Sequence, residues 1–125
     1  GGVDSDCRII HYAHSLGGTD TNMAKNLLTP EELAKIEVVT FGSASLITEG
    51  DFGQVMNYVS RRDGIPMTDP FTYFAFIFGG EVPNVVFVGD YQGIPLVDHF
   101  FDSPNYRGVL DQLGASFIEQ YGQFI

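Results

Sequence analysis

The chain has 125 residues, of which 44% are hydrophobic, and these values predict one compact globular domain over residues 1–125. Six basic and 16 acidic residues give a formal net charge of -10, which disfavours nucleic acids and anionic membranes as partners. The single cysteine, Cys7, allows neither an internal disulfide nor a cysteine-rich zinc site. The sequence shows neither a membrane-spanning apolar run nor a signal-peptide pattern. We therefore expect a soluble or cytoplasmic protein without a metal.

The first part of the chain predicts two strands with two helices between them. The predicted elements are a strand at 7–12, a helix at 16–28, a short helix at 29–36 and a strand at 37–42. In the first helix, Met23, Ala24, Leu27 and Leu28 share one face. The short helix begins with the pattern of a capping box, formed by Thr29 and Glu32. Cys7, on the first strand, is expected to be a buried and unreactive thiol.

The rest of the chain continues the alternation of strands and helices. The predicted elements are a loop at 43–53, a strand at 54–60, a helix at 70–78, a strand at 84–89, a loop at 90–105 and a helix over 109–121. Continuous apolar strands that alternate with helices are typical of a parallel sheet covered on both faces. We expect an α/β three-layer sandwich with a mostly parallel sheet. The aromatic residues of the 70–78 helix, among them Phe71 and Phe74, fit core packing better than a lid over an acyl pocket.

Ser15 lies at the turn between the first strand and the first helix, within the sequence Ala13-His14-Ser15-Leu16-Gly17-Gly18. A serine flanked by small residues at such a turn is typical of the nucleophile elbow of serine hydrolases. We expect the tight turn to require small residues at Ala13 and Gly17. The N–H of Leu16 would then bind the oxyanion of a tetrahedral intermediate.

A nucleophilic serine needs a base that takes its proton and an acid that orients the base. His11 lies within a strand and His14 within the elbow, so His99, in a predicted strand-exit loop, is the expected base. Asp63 follows the third strand and is the expected acid, preferred over Asp98 and Asp90, which would need a different loop course. The chain order of serine, aspartate and histidine is that of α/β-hydrolases.

Four segments of the chain resemble the triacylglycerol-lipase-like α/β-hydrolases. They are the elbow at 13–18, the strand that follows it at 39–43, the acid segment Arg61-Arg62-Asp63-Gly64-Ile65-Pro66, and the histidine region at 98–106. The sequence also resembles an uncharacterised hydrolase-like family of chlamydial bacteria. The resemblance implies an esterase without a cofactor, which acts on a small ester or lipid through a triad of Ser15, His99 and Asp63.

The chain departs from the lipase-like pattern in one respect. In that family several strands and helices precede the elbow, whereas few residues precede Ser15 here. The resemblance therefore covers the C-terminal half of the fold, a truncated α/β-hydrolase core, without the loop that supplies a second oxyanion donor. We expect the apolar edge at Ile9 and Ile10 to pair with an upstream segment or with a second copy in a homodimer.

Two other functions stay open at this point. A non-catalytic protein that keeps the hydrolase scaffold for partner binding agrees with the short region before Ser15. A flavodoxin-like module that binds an anion at Gly17 and Gly18 agrees with the glycines at a helix N-terminus. The second alternative leaves Asp63 and His99 without a role.

Overall fold

The fold is an α/β sandwich built on a four-stranded, all-parallel sheet. A computed structural model describes residues 7–61, 63–78, 84–89 and 104–122. The strands are β1 (Ile9–His14), β2 (Ile36–Phe41), β3 (Gln54–Ser60) and β4 (Val85–Val88), in the spatial order β1-β2-β3-β4. The helices are α1 (Leu16–Ala24), α2 (Pro30–Leu33), α3 (Pro70–Phe78) and α4 (Pro104–Tyr121). Two 3₁₀ turns lie at Lys25–Leu27 and Pro66–Thr68. The predicted fold class and parallel sheet are confirmed.

Two separate apolar clusters cover the two faces of the sheet. On one face Val38 and Val55 pack with Ile47 and Phe52 of the segment that connects β2 to β3. On the other face Val39 and Phe41 pack with Tyr106 and Val109 of α4. Neighbouring residues of one strand point to opposite faces, which explains why Val38 and Val39 belong to different clusters. The α4 helix therefore forms the layer opposite the strand connections.

Helix α1 lies on the face of the connecting segments and is only partly covered. Its buried residues are Gly18 and Thr21, whereas Met23 is 66% exposed and Leu27, in the turn after it, is 86% exposed. The face that includes Met23 and Leu27 is therefore largely exposed. Their spacing shows that the two residues share a face, but α1 packs beside the edge strand β1, and the described residues do not cover that face. Cys7 is also exposed, because it precedes β1.

The aromatic residues of α3 are likewise more exposed than expected. Phe71 is 73% exposed and Phe74 is 62% exposed, so ordinary core packing is the wrong interpretation for these two side chains. Phe76 is half-buried and contacts the ring of Phe87 on β4, with 6.0 Å between ring centroids. Phe76 thus attaches α3 to the sheet, while Phe71 and Phe74 face outward.

A buried polar network ties the middle of the sheet to the segment after β2. The side-chain oxygen of Asn57 accepts a hydrogen bond from the hydroxyl of Thr40 at 2.8 Å. The amide groups of Asn57 and Asn84 both donate to the carbonyl of Ile47, at 3.0 and 2.8 Å. Because buried polar groups are costly unless paired, this network fixes where the segment after β2 runs.

Strand β1 forms one edge of the sheet. Among the described strands only β2 pairs with β1, and Ile9 on this edge is 57% exposed. Pairing of this edge with an upstream segment or a second copy stays a prediction. In the described parts of the chain, we find no helix that has both the length and the apolar character to cross a bilayer.

Candidate active site

Ser15 has a strained backbone at the turn from β1 into α1. Its φ is 55° and its ψ is -124°, and it is the one non-glycine residue with positive φ in the described parts of the chain. Such a conformation costs a side-chain-bearing residue about 1–3 kcal/mol and persists only where the surroundings hold it. The predicted sharp turn at Ser15 is present in the structure.

The backbone of the segment after β2 holds this turn in place. The N–H of Ser15 donates to the carbonyl of Phe41 at 3.4 Å, and the carbonyl of Ser15 accepts from the N–H of Ala44 at 3.2 Å. A third hydrogen bond, from the N–H of Gly18 to the same carbonyl at 3.1 Å, closes the first turn of α1. Ser15 is thus fixed from both the strand side and the helix side.

The close approach within the elbow is at Gly18. A Cβ atom on Gly18 would lie 1.9 Å from the Oγ of Ser43, whereas one on Gly17 would meet no described atom within 4 Å. The close approach among the described residues is thus one position after Gly17, and the need for a small residue at Gly17 stays a prediction. Ala13, the other small residue of the motif, is buried within β1 beside Thr40 of β2.

Leu16 is the first residue of α1. N–H groups in the first turn of a helix have no acceptor within the helix, so they can bind a negatively charged group. Its side chain is exposed, which leaves the turn accessible from solvent on this side. The position agrees with the predicted oxyanion donor, whose role stays a prediction.

Asp63 lies in the loop after β3 and is almost fully buried, with 1% of its surface exposed. Its Oδ1 accepts a hydrogen bond from the N–H of Ile65 at 3.0 Å. Its Oδ2 accepts one from the hydroxyl of Tyr106 at 2.7 Å. A carboxylate buried in this way needs such donors, because burial of an unpaired charge is costly. The bonds define a single orientation of the side chain, unlike that of a solvated loop aspartate.

Gly42, the first residue after β2, separates Ser15 from Asp63. It has a φ of 60°, and a Cβ on it would lie 2.3 Å from Asp63 Oδ2 and 2.9 Å from the Tyr106 hydroxyl. Strand β2 lies between β1 and β3 in the sheet, so Ser15 and Asp63 approach its exit segment from opposite sides. The missing side chain of Gly42 is what allows the carboxylate to lie against this segment.

The third predicted member of the triad, His99, lies outside the described residues, as do the alternative acids Asp98 and Asp90. His11 is engaged elsewhere: its Nε2 lies 2.9 Å from the Oγ1 of Thr21. The Thr21 hydroxyl donates to the carbonyl of Gly17 at 2.7 Å, so the His11 Nε2 must be the donor in their contact. The hydrogen bond from His11 to Thr21 agrees with the choice of His99 as the base. The role of His99 stays a prediction.

A cavity of about 520 Å³ lies between α1 and the exposed edge of the sheet. Its lining is mainly apolar and includes Ile9, Leu28 and Phe52. His14 and Gly17, which flank Ser15 on its two sides, also line it. An apolar group could therefore be accommodated beside the elbow, although Ser15 itself does not line the cavity.

No protein-family model matches the sequence, and comparisons with curated proteins and with solved structures find no match. The geometry of the site is therefore the basis for a functional proposal.

From the sequence, Gly18 is considered only as part of the elbow and of an anion site, and neither Gly42 nor Tyr106 is given a role of its own. For Gly42 a signal exists, since a glycine directly after a buried strand often marks a positive φ or a close approach. Tyr106 ends the histidine region at 98–106 and precedes the predicted helix, and no sequence signal there distinguishes it from an ordinary core tyrosine.

Proposed function

We propose that this protein is a serine hydrolase that cleaves a carboxylic ester with an apolar acyl group, using Ser15 as nucleophile. The observation that carries the proposal is the strained backbone of Ser15 at a strand-to-helix turn. Such a conformation lifts the side chain away from both elements and places the next N–H beside the reacting atom. A serine that served only as a helix cap would adopt an ordinary extended conformation, without this cost.

In the proposed reaction the Ser15 oxygen attacks the ester carbonyl carbon while His99 takes the hydroxyl proton. The resulting oxyanion accepts a hydrogen bond from the N–H of Leu16. When the tetrahedral intermediate collapses, the ester C–O bond breaks, and His99 returns the proton to the departing alcohol. Water, activated by the same histidine, then releases the carboxylic acid from Ser15.

Asp63 supports this assignment because it is buried and held in one orientation at the carboxyl end of β3, on the other side of β2 from Ser15. In a serine triad the acid orients the base and stabilises the imidazolium that forms. The cavity beside Ser15 supports the choice of an apolar acyl group, because its lining is mainly apolar. The resemblance to lipase-like hydrolases points to the same chemistry.

Labelling with a fluorophosphonate, read by intact mass, tests the proposal. We expect one phosphonyl group per chain in the wild type and none in Ser15→Ala. Ser116→Ala is the matched control, because Ser116 is an exposed serine on α4, away from the turn, and its loss should leave labelling unchanged. Circular dichroism establishes that each variant is folded.

Two results would contradict the proposal. An adduct that persists in Ser15→Ala would place the reactive group elsewhere. A folded wild-type protein that acquires no adduct would favour the non-catalytic scaffold instead. His99→Ala and Asp63→Asn extend the test to the proposed base and acid, and both should label at least about a hundredfold more slowly than the wild type.

A further inference from the structure

We propose that Tyr106 is a positioning residue of this site, whose hydroxyl fixes the orientation of the Asp63 carboxylate. The inference rests on the proposed function, since it assigns Tyr106 a role through the acid of the triad. Tyr106 lies in the first turns of α4 and is fully buried, with 0% of its surface exposed. Its hydroxyl is 2.7 Å from Asp63 Oδ2.

The backbone of β3 determines the direction of this hydrogen bond. The N–H of Ser60 lies 3.0 Å from the Tyr106 hydroxyl oxygen. An N–H can only donate, so the hydroxyl oxygen accepts there and its own proton is left for Asp63. Tyr106 therefore acts as a donor to the carboxylate. Hydrogen bonds of this kind, in which the acceptor is charged, are about twice as strong as neutral ones.

The two oxygens of Asp63 are each held by one donor from a different part of the chain. Ile65, two residues further along, holds Oδ1 through its N–H, and Tyr106 holds Oδ2. Together the two bonds prevent rotation of the carboxylate about its Cβ–Cγ bond.

The ring and the hydroxyl of Tyr106 have separable roles. The ring packs edge-on against Phe41, with 5.9 Å between centroids and an 80° angle between planes, and belongs to the cluster that includes Val39 and Val109. A phenylalanine would fill the same space and keep these contacts. The hydroxyl alone reaches the carboxylate, and its removal therefore tests positioning with the apolar packing kept.

A double-mutant cycle on the rate of fluorophosphonate labelling provides the test. The proteins are the wild type, Tyr106→Phe, Asp63→Asn and the double variant. We expect Tyr106→Phe to lower the limiting labelling rate about tenfold, the usual effect of losing one hydrogen bond to a charged group, with the half-saturating probe concentration unchanged. In the Asp63→Asn background the same substitution should cause no further loss, because Tyr106 acts through Asp63.

Val109→Ala is the matched control for a loss of stability. Val109 is buried in the same cluster as Tyr106, on the same helix, and makes no hydrogen bond with its side chain. We expect Val109→Ala to lower the free energy of unfolding while its labelling rate stays within about twofold of the wild type in both backgrounds. All rates are measured where circular dichroism shows folded protein, with trimethylamine N-oxide added to every variant if one needs it.

The outcomes separate this inference from the proposed function. Failure of the folded wild type to label overturns the proposed function and this inference with it. A labelled wild type whose rate is unchanged by Tyr106→Phe overturns this inference alone. Equal slowing in both Asp63 backgrounds, or a Tyr106→Phe variant that folds under none of these conditions, assigns the hydroxyl a purely structural role and also overturns it.

Discussion

The substitution Gly42→Ala tests the steric basis of the site. The added Cβ would lie 2.3 Å from Asp63 Oδ2 and 2.9 Å from the Tyr106 hydroxyl, both of them buried. Left-handed backbone costs an alanine about 1–2 kcal/mol relative to glycine. Displacing the carboxylate from its tyrosine donor costs about a further 1.5–3 kcal/mol. We therefore expect Gly42→Ala to lower the free energy of unfolding by about 2.5–5 kcal/mol.

Gly50→Ala separates the two contributions. Gly50 also has a positive φ, of 95°, but a Cβ on it would meet no described atom within 4 Å. This variant carries the backbone cost without the collision, so we expect a loss of about 1–2 kcal/mol. The difference between the two variants then reports the displacement of Asp63 and Tyr106.

Urea unfolding followed by circular dichroism measures both variants, since the chain has no tryptophan whose fluorescence could be used. With a typical urea dependence, a difference of about 2 kcal/mol moves the midpoint by about 1 M. Equal midpoints for Gly42→Ala and Gly50→Ala would refute the argument, since they would mean that Asp63 can move away from Gly42 at no cost.

Three further predictions concern other parts of the molecule. Gly18→Ala should destabilise the protein in urea unfolding through its collision with Ser43, and the added change Ser43→Gly should restore much of the loss. Ser15→Gly should be more stable than Ser15→Ala by about 1 kcal/mol or more, because glycine adopts this backbone conformation without strain; equal unfolding free energies would contradict that. Burial, and then the charge of Glu37, raises the pKa of Tyr58 above 10.0. The stability that depends on the neutral phenol is therefore fully present below pH 10.0 and is lost as the pH rises through the raised pKa. Tyr58→Phe should therefore lose less stability than the wild type between about pH 8 and about pH 10.5 in urea unfolding.

Much of the local structure follows from short-range patterns in the sequence. The predicted capping box is present, with Thr29 and Glu32 each accepting a hydrogen bond from the other's backbone N–H. The third strand has the predicted bounds, 54–60, because apolar and β-branched residues continue up to Ser60 and a charged loop follows. In these cases the residues that decide the structure are within a few positions of one another.

The arrangement around Asp63 depends on contacts that no local pattern contains. Tyr106 is 43 positions away from Asp63 along the chain, and their pairing follows from how α4 crosses the sheet. The same limit applies to the exposure of Met23 and Leu27, since helical spacing groups residues on a face without saying what covers that face. The shift from Gly17 to Gly18 also depends on a remote residue, Ser43.

The dependence of Asp63 on Tyr106 has a consequence for biosynthesis. A chain that leaves the ribosome from its N-terminus contains Ser15 and Asp63 well before α4 has been made. The tyrosine hydroxyl can reach the carboxylate only after α4 has docked on β2 and β3. Until then the polypeptide carries the serine without this fixed acid, and the full rate of the hydrolysis that we propose would be reached only after α4 has docked.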